Sequence, residues 1–162
     1  MPSYTAPVAE TMFLLTDVFP LDRYANLPRF AATPIDVVEA ILAGGGRFAS
    51  EVLQPLNLRG DQEGCRRLDG GSAVTPKGFK DAYRQYVEGG WAGVSGSTAY
   101  GGQGLPQFVN LALSEYNLAA NLAFTMCPAL TKGATEALLA HANDALKERD
   151  LPEMTTGEWT AR

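Results

Sequence analysis

Residues 88–106 read EGGWAGVSGSTAYGGQGLP and separate two segments that have the apolar spacing of helices. Glycine at this density favours a loop, because it adopts backbone conformations that are closed to other residues. A Walker loop would require a lysine and then Ser or Thr after the last glycine, and a dinucleotide fingerprint would require Gly-x-Gly-x-x-Gly between a strand and a helix. Neither pattern is present. Residues 93–97 approach the nucleophile elbow Gly-x-Ser-x-Gly, but Ser97 replaces its last glycine and no strand precedes it, so we predict no serine nucleophile.

Helical periodicity extends outward from this loop in both directions, and no segment shows a convincing strand pattern. Residues 59–74, RGDQEGCRRLDGGSAV, carry turn residues and charges without a period and predict a surface loop. Pro128 is expected to separate the fourth helix from the fifth. The sequence therefore predicts an all-α fold, a single bundle of about six helices over residues 1–162. The predicted helices are 8–19, 33–56, 75–91, 105–124, 129–142 and 143–154.

Helix starts are predicted where a capping side chain precedes an apolar run. Thr33 and Thr75 each stand before a proline, which suits the first position of a helix, and Asn143 is a further candidate cap. Residues 44–46 are three consecutive glycines within the second helix, and each costs the helix about 1 kcal/mol relative to alanine. We therefore expect tertiary packing to hold that segment in place.

Charge and composition exclude several classes of function. The chain has 162 residues, a net charge of −5 and a pI near 4.8, so no basic stripe is available for nucleic acid. The sequence has no apolar run long enough to cross a membrane and no secretory signal, and we expect a soluble, cytoplasmic protein. Cys65 and Cys127 are too few for a disulfide framework and wrongly spaced for zinc, so reduced thiols without a function are expected.

Two other side chains are weak candidates for chemistry. His141, the only histidine, has no cysteine or carboxylate nearby in a metal-ligand pattern, so a surface or packing role is favoured and no metal site is predicted. Glu115 lies in a largely apolar helix and could be half-buried with a raised pKa. A polar face or an interhelical hydrogen bond is the favoured interpretation of Glu115, and the residues alone predict no catalytic group.

Several ordered motifs give the chain a family resemblance. They are YTAPV near the start, PLNLRGDQEGCR at 55–66, the glycine-rich stretch 88–106, ALTKGATEALLAHA at 129–142 and LPEMTTGEW at 151–159. Together they resemble the N-terminal helical domain of acyl-CoA dehydrogenases, and more narrowly the branch that includes 3-methylmercaptopropionyl-CoA dehydrogenases. The resemblance runs from about Tyr4 to Thr160, and the glycine-rich stretch is its most specific part.

This resemblance implies a flavin-dependent oxidoreductase of fatty acid metabolism. Members oxidise an acyl-CoA between Cα and Cβ, with a glutamate that removes the α-proton and FAD that accepts a hydride. It also implies that the glycine-rich stretch is a tight inter-helix loop rather than a phosphate site. Related chains continue with a β-domain and a C-terminal helical domain, which hold much of the FAD and the glutamate. We expect this chain to be a truncated form without them, binding no FAD by itself and inactive alone.

The resemblance further assigns the residues that would touch a substrate. By position, Phe124, Thr125, Pro128 and Ala129 correspond to the segment that lines the acyl-tail pocket of the intact enzyme. Lys132 stands where a histidine is expected in this branch, which affects any inference about acyl preference. The alternative for all of these residues is ordinary packing at a helix junction.

Two functions therefore remain open from the sequence. One is the N-terminal part of an acyl-CoA dehydrogenase that covers the acyl tail of the substrate. The other is a non-enzymatic helical module that associates with itself or with a separate subunit. Either way, Phe124, Met126 and Leu130 must be exposed or covered, and we expect a homo-oligomer or a missing domain supplied in trans.

Overall fold

The computed structural model describes residues 3–160, and the predicted domain bounds at residues 1 and 162 lie outside them. The described residues form helices and one small hairpin, joined by loops, so the predicted all-α fold is confirmed. Its helices, in order, are α1 (Val8–Phe13), α2 (Pro28–Ala31), α3 (Ile35–Arg47), α4 (Gln54–Glu63), α5 (Phe79–Glu88), α6 (Gln107–Ala120), α7 (Leu122–His141) and α8 (Asp144–Thr156).

Wider helical turns extend two of these helices. A π-helical turn at Leu14–Val18 continues α1, and a π-helical segment at Phe48–Leu53 joins α3 directly to α4. The second predicted helix therefore exists but runs on to Glu63, into the stretch predicted as a loop. The sequence missed this part because α4 is polar and mostly exposed, so it has no apolar period to detect. Close packing stabilises α4 instead, since a Cβ at Gly60 would lie only 2.8 Å from the Phe79 ring.

A short hairpin follows α4 and is a second departure from the predicted loop. Strand β1 (Arg66–Arg67) pairs antiparallel with β2 (Ala73–Val74), with Arg66 opposite Val74. The turn between them is closed by the Leu68 amide, which donates to the Ser72 carbonyl at 2.8 Å. Two residues per strand are too few for an alternating pattern, so nothing in the sequence distinguishes this hairpin from a loop.

Both Thr-Pro helix starts are wrong in detail. The Thr33 hydroxyl donates to the Arg29 carbonyl at 2.7 Å, so it closes the last turn of α2 and does not cap α3. The third predicted helix begins at Phe79, some residues after Thr75, because Gly78 takes a left-handed conformation with φ of +93° immediately before it. A threonine hydroxyl can donate to a carbonyl four residues back or accept from an amide ahead, and the sequence does not decide between them.

Two asparagines cap the C-terminal helices. The Asn143 side chain accepts from the Leu146 amide at 3.0 Å, as predicted, at the start of α8. Asn121 does the same for α7 through the Phe124 amide at 3.0 Å, a cap that the sequence did not predict. Because α7 begins there, Pro128 lies inside the helix, and the predicted break at Pro128 is wrong.

The core lies where α3 and its π-helical extension cross α6. Six fully buried side chains form its centre: Val38, Leu42, Ala49, Leu53, Val109 and Tyr116. An aromatic group extends the core toward α5 and α7, with neighbouring ring centroids 6.1–6.5 Å apart. Its members are Phe48, Phe79, Tyr86 and Phe124. This group fixes α7 against the rest of the bundle.

The glycine-rich stretch connects α5 to α6 as a tight, internally bonded loop. Four successive amides, those of Gly102, Gln103, Gly104 and Leu105, donate to loop carbonyls at 2.9–3.1 Å. A phosphate site of this type needs such amides to point at the ligand. The loop amides are instead directed inward, which agrees with the structural role expected from the resemblance.

Candidate functional site

A cleft of about 80 Å³ opens between α5, α6, α7 and the end of α8. Thr125, Pro128 and Ala129, three of the four residues that the resemblance assigned to substrate, lie in its lining. Phe124 does not line the cleft, because it is buried in the aromatic group. Its ring centroid is 6.3 Å from that of Tyr83 and 6.1 Å from that of Tyr86, and both tyrosines do line the cleft. Phe124 therefore packs against the two tyrosines that form one wall of the cleft.

Uncharged polar side chains make up much of the lining. They are Asn110, Ser114, Asn117, Thr125, Thr131 and Thr135. The Thr125 hydroxyl donates to the Asn121 carbonyl and the Thr135 hydroxyl to the Thr131 carbonyl, each at 2.9 Å, which directs these hydroxyl hydrogens into α7. Leu118, Leu139 and Met154 contribute apolar side chains to the lining. Most of the surface exposed to the cleft is nevertheless apolar, with polar groups in the minority.

The two tyrosines on α5 hold the wall opposite α7 in place. The Tyr83 hydroxyl donates to the Gly157 carbonyl at 2.8 Å, which ties α5 to the end of α8. Burial raises the pKa of Tyr83 to about 12, and burial also raises the pKa of Tyr86. Both phenols are therefore neutral hydrogen-bonding groups at physiological pH. Their spacing of three residues places them on one side of a helix, but it does not indicate that they face a cleft.

Lys132 provides the positive charge of the cleft. Its ammonium donates to the Ser95 hydroxyl at 2.8 Å and lies 3.4 Å from the Glu136 carboxylate. Ser95 is buried within the glycine-rich loop, so the loop positions an α7 side chain. The sequence flagged Lys132 as a departure from its branch but could not supply Ser95 as its partner, because the two residues lie 37 positions apart.

The remaining candidates from the sequence lie away from this cleft. Glu115 is exposed, so the half-buried setting considered for it is wrong, and His141 is also exposed. The Ser97 hydroxyl accepts from the Ala99 amide at 3.3 Å and caps a short 3-10 turn. Cys65 and Cys127 are exposed, and neither forms a disulfide. None of these side chains joins the lining of the cleft.

Residues 3–160 contain neither a metal-binding cluster nor a membrane-spanning helix. That part of the chain contains no group of three or more His, Cys, Asp or Glu side chains arranged to hold a metal ion. No helix in the same residues has the length and apolar character needed to cross a membrane.

Comparisons with known proteins agree with the fold and the motifs. Residues 39–158 match the family described as "Acyl-CoA dehydrogenase, N-terminal domain". The chain is 37% identical over 158 residues to 3-methylmercaptopropionyl-CoA dehydrogenase of Ruegeria pomeroyi, covering 98% of this chain and 27% of that protein. It is 32% identical over 127 residues to a butyryl-CoA dehydrogenase of Syntrophomonas wolfei, covering 77% of this chain and 21% of that protein.

The chain thus spans about a quarter of the length of the curated relatives it matches. The family match covers most of the described helices, from α3 to the end of α8, and includes both the glycine-rich loop and the cleft. The motifs, the helical architecture and the match over residues 39–158 together show that this chain belongs to the acyl-CoA dehydrogenase family, as its N-terminal domain.

Proposed function

We propose that this domain covers the acyl tail of an acyl-CoA in a flavin-dependent dehydrogenase that oxidises the substrate between Cα and Cβ. The observation that carries the proposal is the cleft, in which Thr125, Pro128 and Ala129 of α7 meet Tyr83 and Tyr86 of α5. Phe124, the fourth assigned residue, acts indirectly by supporting the two tyrosines. Family membership supplies the class of reaction, and the cleft supplies the contact with substrate.

The size of the cleft limits what this chain does in that reaction. Sites for drug-sized ligands measure about 300–1,000 Å³, whereas the cleft measures about 80 Å³. It therefore has room for the end of an acyl chain and not for a whole acyl-CoA. The role that fits this size is that of a wall or lid over the acyl tail, with the thioester and the nucleotide held elsewhere.

The test is NMR titration of the isotopically labelled 162-residue chain with pentanoyl-CoA. We expect the amide signals of Thr125 and Ala129 to shift, because both residues line the cleft. Ala129→Trp fills the cleft and should abolish the shift of the Thr125 amide, whereas Ala137→Trp, at an exposed position further along α7, should preserve it. Shifts confined to other helices, or an unchanged response in Ala129→Trp, would contradict the proposed role.

We further propose that this chain binds no FAD by itself and supplies no catalytic base. The support is that the glycine-rich loop, its one stretch resembling a phosphate-binding loop, already uses the amides of Gly102, Gln103, Gly104 and Leu105 internally. Glu115, the one carboxylate considered as a base, is exposed and outside the cleft. The residues present therefore do not fit the flavin phosphates.

A second proposal is that this domain associates through the exposed apolar side of α7. Leu122, Met126 and Leu130 follow one another at helical spacing and are 58%, 47% and 59% exposed. An apolar row of this kind suits a contact with a second copy of the chain or with a separate subunit. Phe124, which the sequence grouped with these residues, is covered within its own domain.

Light scattering over a concentration series tests this association. The double variant Met126→Ser with Leu130→Ser should be more monomeric than the wild-type chain at the same concentration, because it makes the exposed row polar without disturbing the core. Phe124→Ser is unsuitable as a probe, since it would disrupt the aromatic group. A wild-type chain that stays monomeric at high concentration would refute self-association.

A further inference from the structure

The cleft carries its positive charge at one fixed position. Among the described residues that line it, Lys132 is the only cationic side chain. Its side chain is 28% exposed, so it lies largely within the protein surface and does not extend into solvent. A lysine side chain loses considerable conformational freedom when it is held in this way. A ligand in the cleft therefore meets an ammonium group that is already positioned.

The glycine-rich loop fixes this position. The Lys132 ammonium donates to the Ser95 hydroxyl at 2.8 Å, and Ser95 is buried. The backbone on either side of Ser95 is itself bonded: the Leu105 amide donates to the Val94 carbonyl at 3.1 Å and the Gly104 amide to the Gly96 carbonyl at 2.9 Å. The partner of Lys132 is thus part of a closed hydrogen-bonded loop.

Glu136 does not satisfy the ammonium group fully. Its carboxylate lies one helical turn away at 3.4 Å, and its side chain is 57% exposed. Exposed pairs of this spacing contribute little, because water screens both charges and the side chains must be ordered. An ammonium has three hydrogens to donate, and the contacts with Ser95 and Glu136 account for two. One hydrogen of Lys132 remains for a ligand.

We propose that the cleft takes an acyl chain whose far end carries a carboxylate, and that Lys132 pairs with this carboxylate. This inference rests on the proposed role of the cleft in covering an acyl tail. A charge-assisted hydrogen bond to a positioned ammonium favours the carboxylate, and a methyl end at the same place would desolvate Lys132 without compensation. Other side-chain donors of the lining are on α6, where Asn110 and Asn117 carry amide groups. Glu136 competes with the ligand for Lys132 and keeps the preference moderate.

The experiment compares two thioesters of equal chain length on the 162-residue chain by NMR titration. Pentanoyl-CoA ends in a methyl group, and 4-carboxybutanoyl-CoA ends in a carboxylate. We expect the carboxylated thioester to bind about tenfold more tightly, the effect of one charge-assisted hydrogen bond. Lys132→Met should remove or invert this preference, because methionine keeps the length of the stem and loses the charge.

Two further variants separate a specific contact from general electrostatics. Glu136→Gln should increase the preference for the carboxylated thioester, because it removes the competing carboxylate. Lys80→Met, at an exposed position on α5, removes the same charge outside the cleft and should leave the preference unchanged. If pentanoyl-CoA binds equally well or better, or if Lys80→Met acts like Lys132→Met, the carboxylate proposal is overturned and the acyl-tail proposal survives. If neither thioester perturbs the cleft, both proposals are overturned.

Discussion

Two glycine clusters in this domain serve different physical purposes. Gly44–Gly46 lie inside α3, and there a Cβ on Gly45 would overlap the Leu113 side chain and one on Gly46 would lie 2.8 Å from Val8. In the loop before α6, Gly101 and Gly104 instead have φ of +83° and +69°, in the left-handed region. Glycine is therefore needed in the helix cluster only because a side chain would not fit. In the loop cluster it is needed for its backbone conformation as well.

The neighbours of the two clusters also differ in how far they can move. The closest atoms that face Gly45 and Gly46 belong to the Leu113 and Val8 side chains, which can change rotamer at a moderate cost. A Cβ on Gly102 would instead overlap the Gly96 carbonyl group and lie 2.6 Å from the Gly96 Cα. Backbone that is held by hydrogen bonds on both sides cannot move aside. The loop is therefore expected to tolerate substitution less well than the helix.

The largest effect is expected for Gly102→Ala. Because the added methyl meets backbone, we expect a loss of about 3 kcal/mol in the free energy of unfolding, at the upper end for overpacked sites. Urea denaturation measures it. Gly101→Ala is the matched control, since its Cβ would meet only Thr156 at 3.4 Å and the cost is that of a left-handed alanine, about 1–2 kcal/mol. Equal losses in the two variants would contradict the importance of the close backbone approach.

A smaller effect is expected for Gly45→Ala in α3. The overlap with Leu113 destabilises, but alanine favours the helix by about 1 kcal/mol relative to glycine, so we expect a net loss of about 1–2 kcal/mol. The double variant Gly45→Ala with Leu113→Ala removes the overlap. A double-mutant cycle should therefore show a coupling of at least about 1 kcal/mol between the two positions. If the two substitutions have simply additive effects, contact with Leu113 on α6 is not the reason for glycine at position 45.

The smallest effect, opposite in sign, is expected for Gly133→Ala. This glycine lies on the exposed side of α7, and a Cβ built there has nothing within 4 Å. We expect a gain of up to about 1 kcal/mol from helix propensity alone, which thermal denaturation would show as a rise in Tm. Ala137→Gly, at another exposed position of α7, should give a loss of similar size. A loss in both variants would indicate an unrecognised contact at Gly133.

Helix positions were predictable where apolar residues recur at helical spacing, as at Val38 and Leu42. Helix α4 was missed because it is polar and has no apolar residues that recur at helical spacing. The two caps also differ: Asn143 was predicted from its residue type at the start of a separate helical segment, whereas Asn121 lies within an unbroken run of helix formers. The role of Asn121 depends on tertiary contact as well, since its side-chain amide donates to the Leu53 carbonyl at 3.1 Å.

The candidate site was only partly accessible from the sequence. Thr125, Pro128 and Ala129 were assigned by resemblance, and their contribution to a substrate contact stays a prediction. Phe124 was assigned with them because it is adjacent in sequence, but successive helical residues point in different directions, and Phe124 turns into the core. Tyr83 and Tyr86 are three residues apart and so share one side of a helix, and only the position of α7 shows that they face a cleft.

The sequence by itself determined the class of fold, the approximate helices, the loop character of residues 88–106 and the family. These depend on local periodicity, turn residues and motif order, all of which are properties of neighbouring residues. Only the tertiary structure decided which glycines face backbone, that α7 runs through Pro128, and that Lys132 meets Ser95. Such features depend on which surfaces come together when the helices pack, and contacts between residues far apart in sequence leave no local pattern from which to predict them.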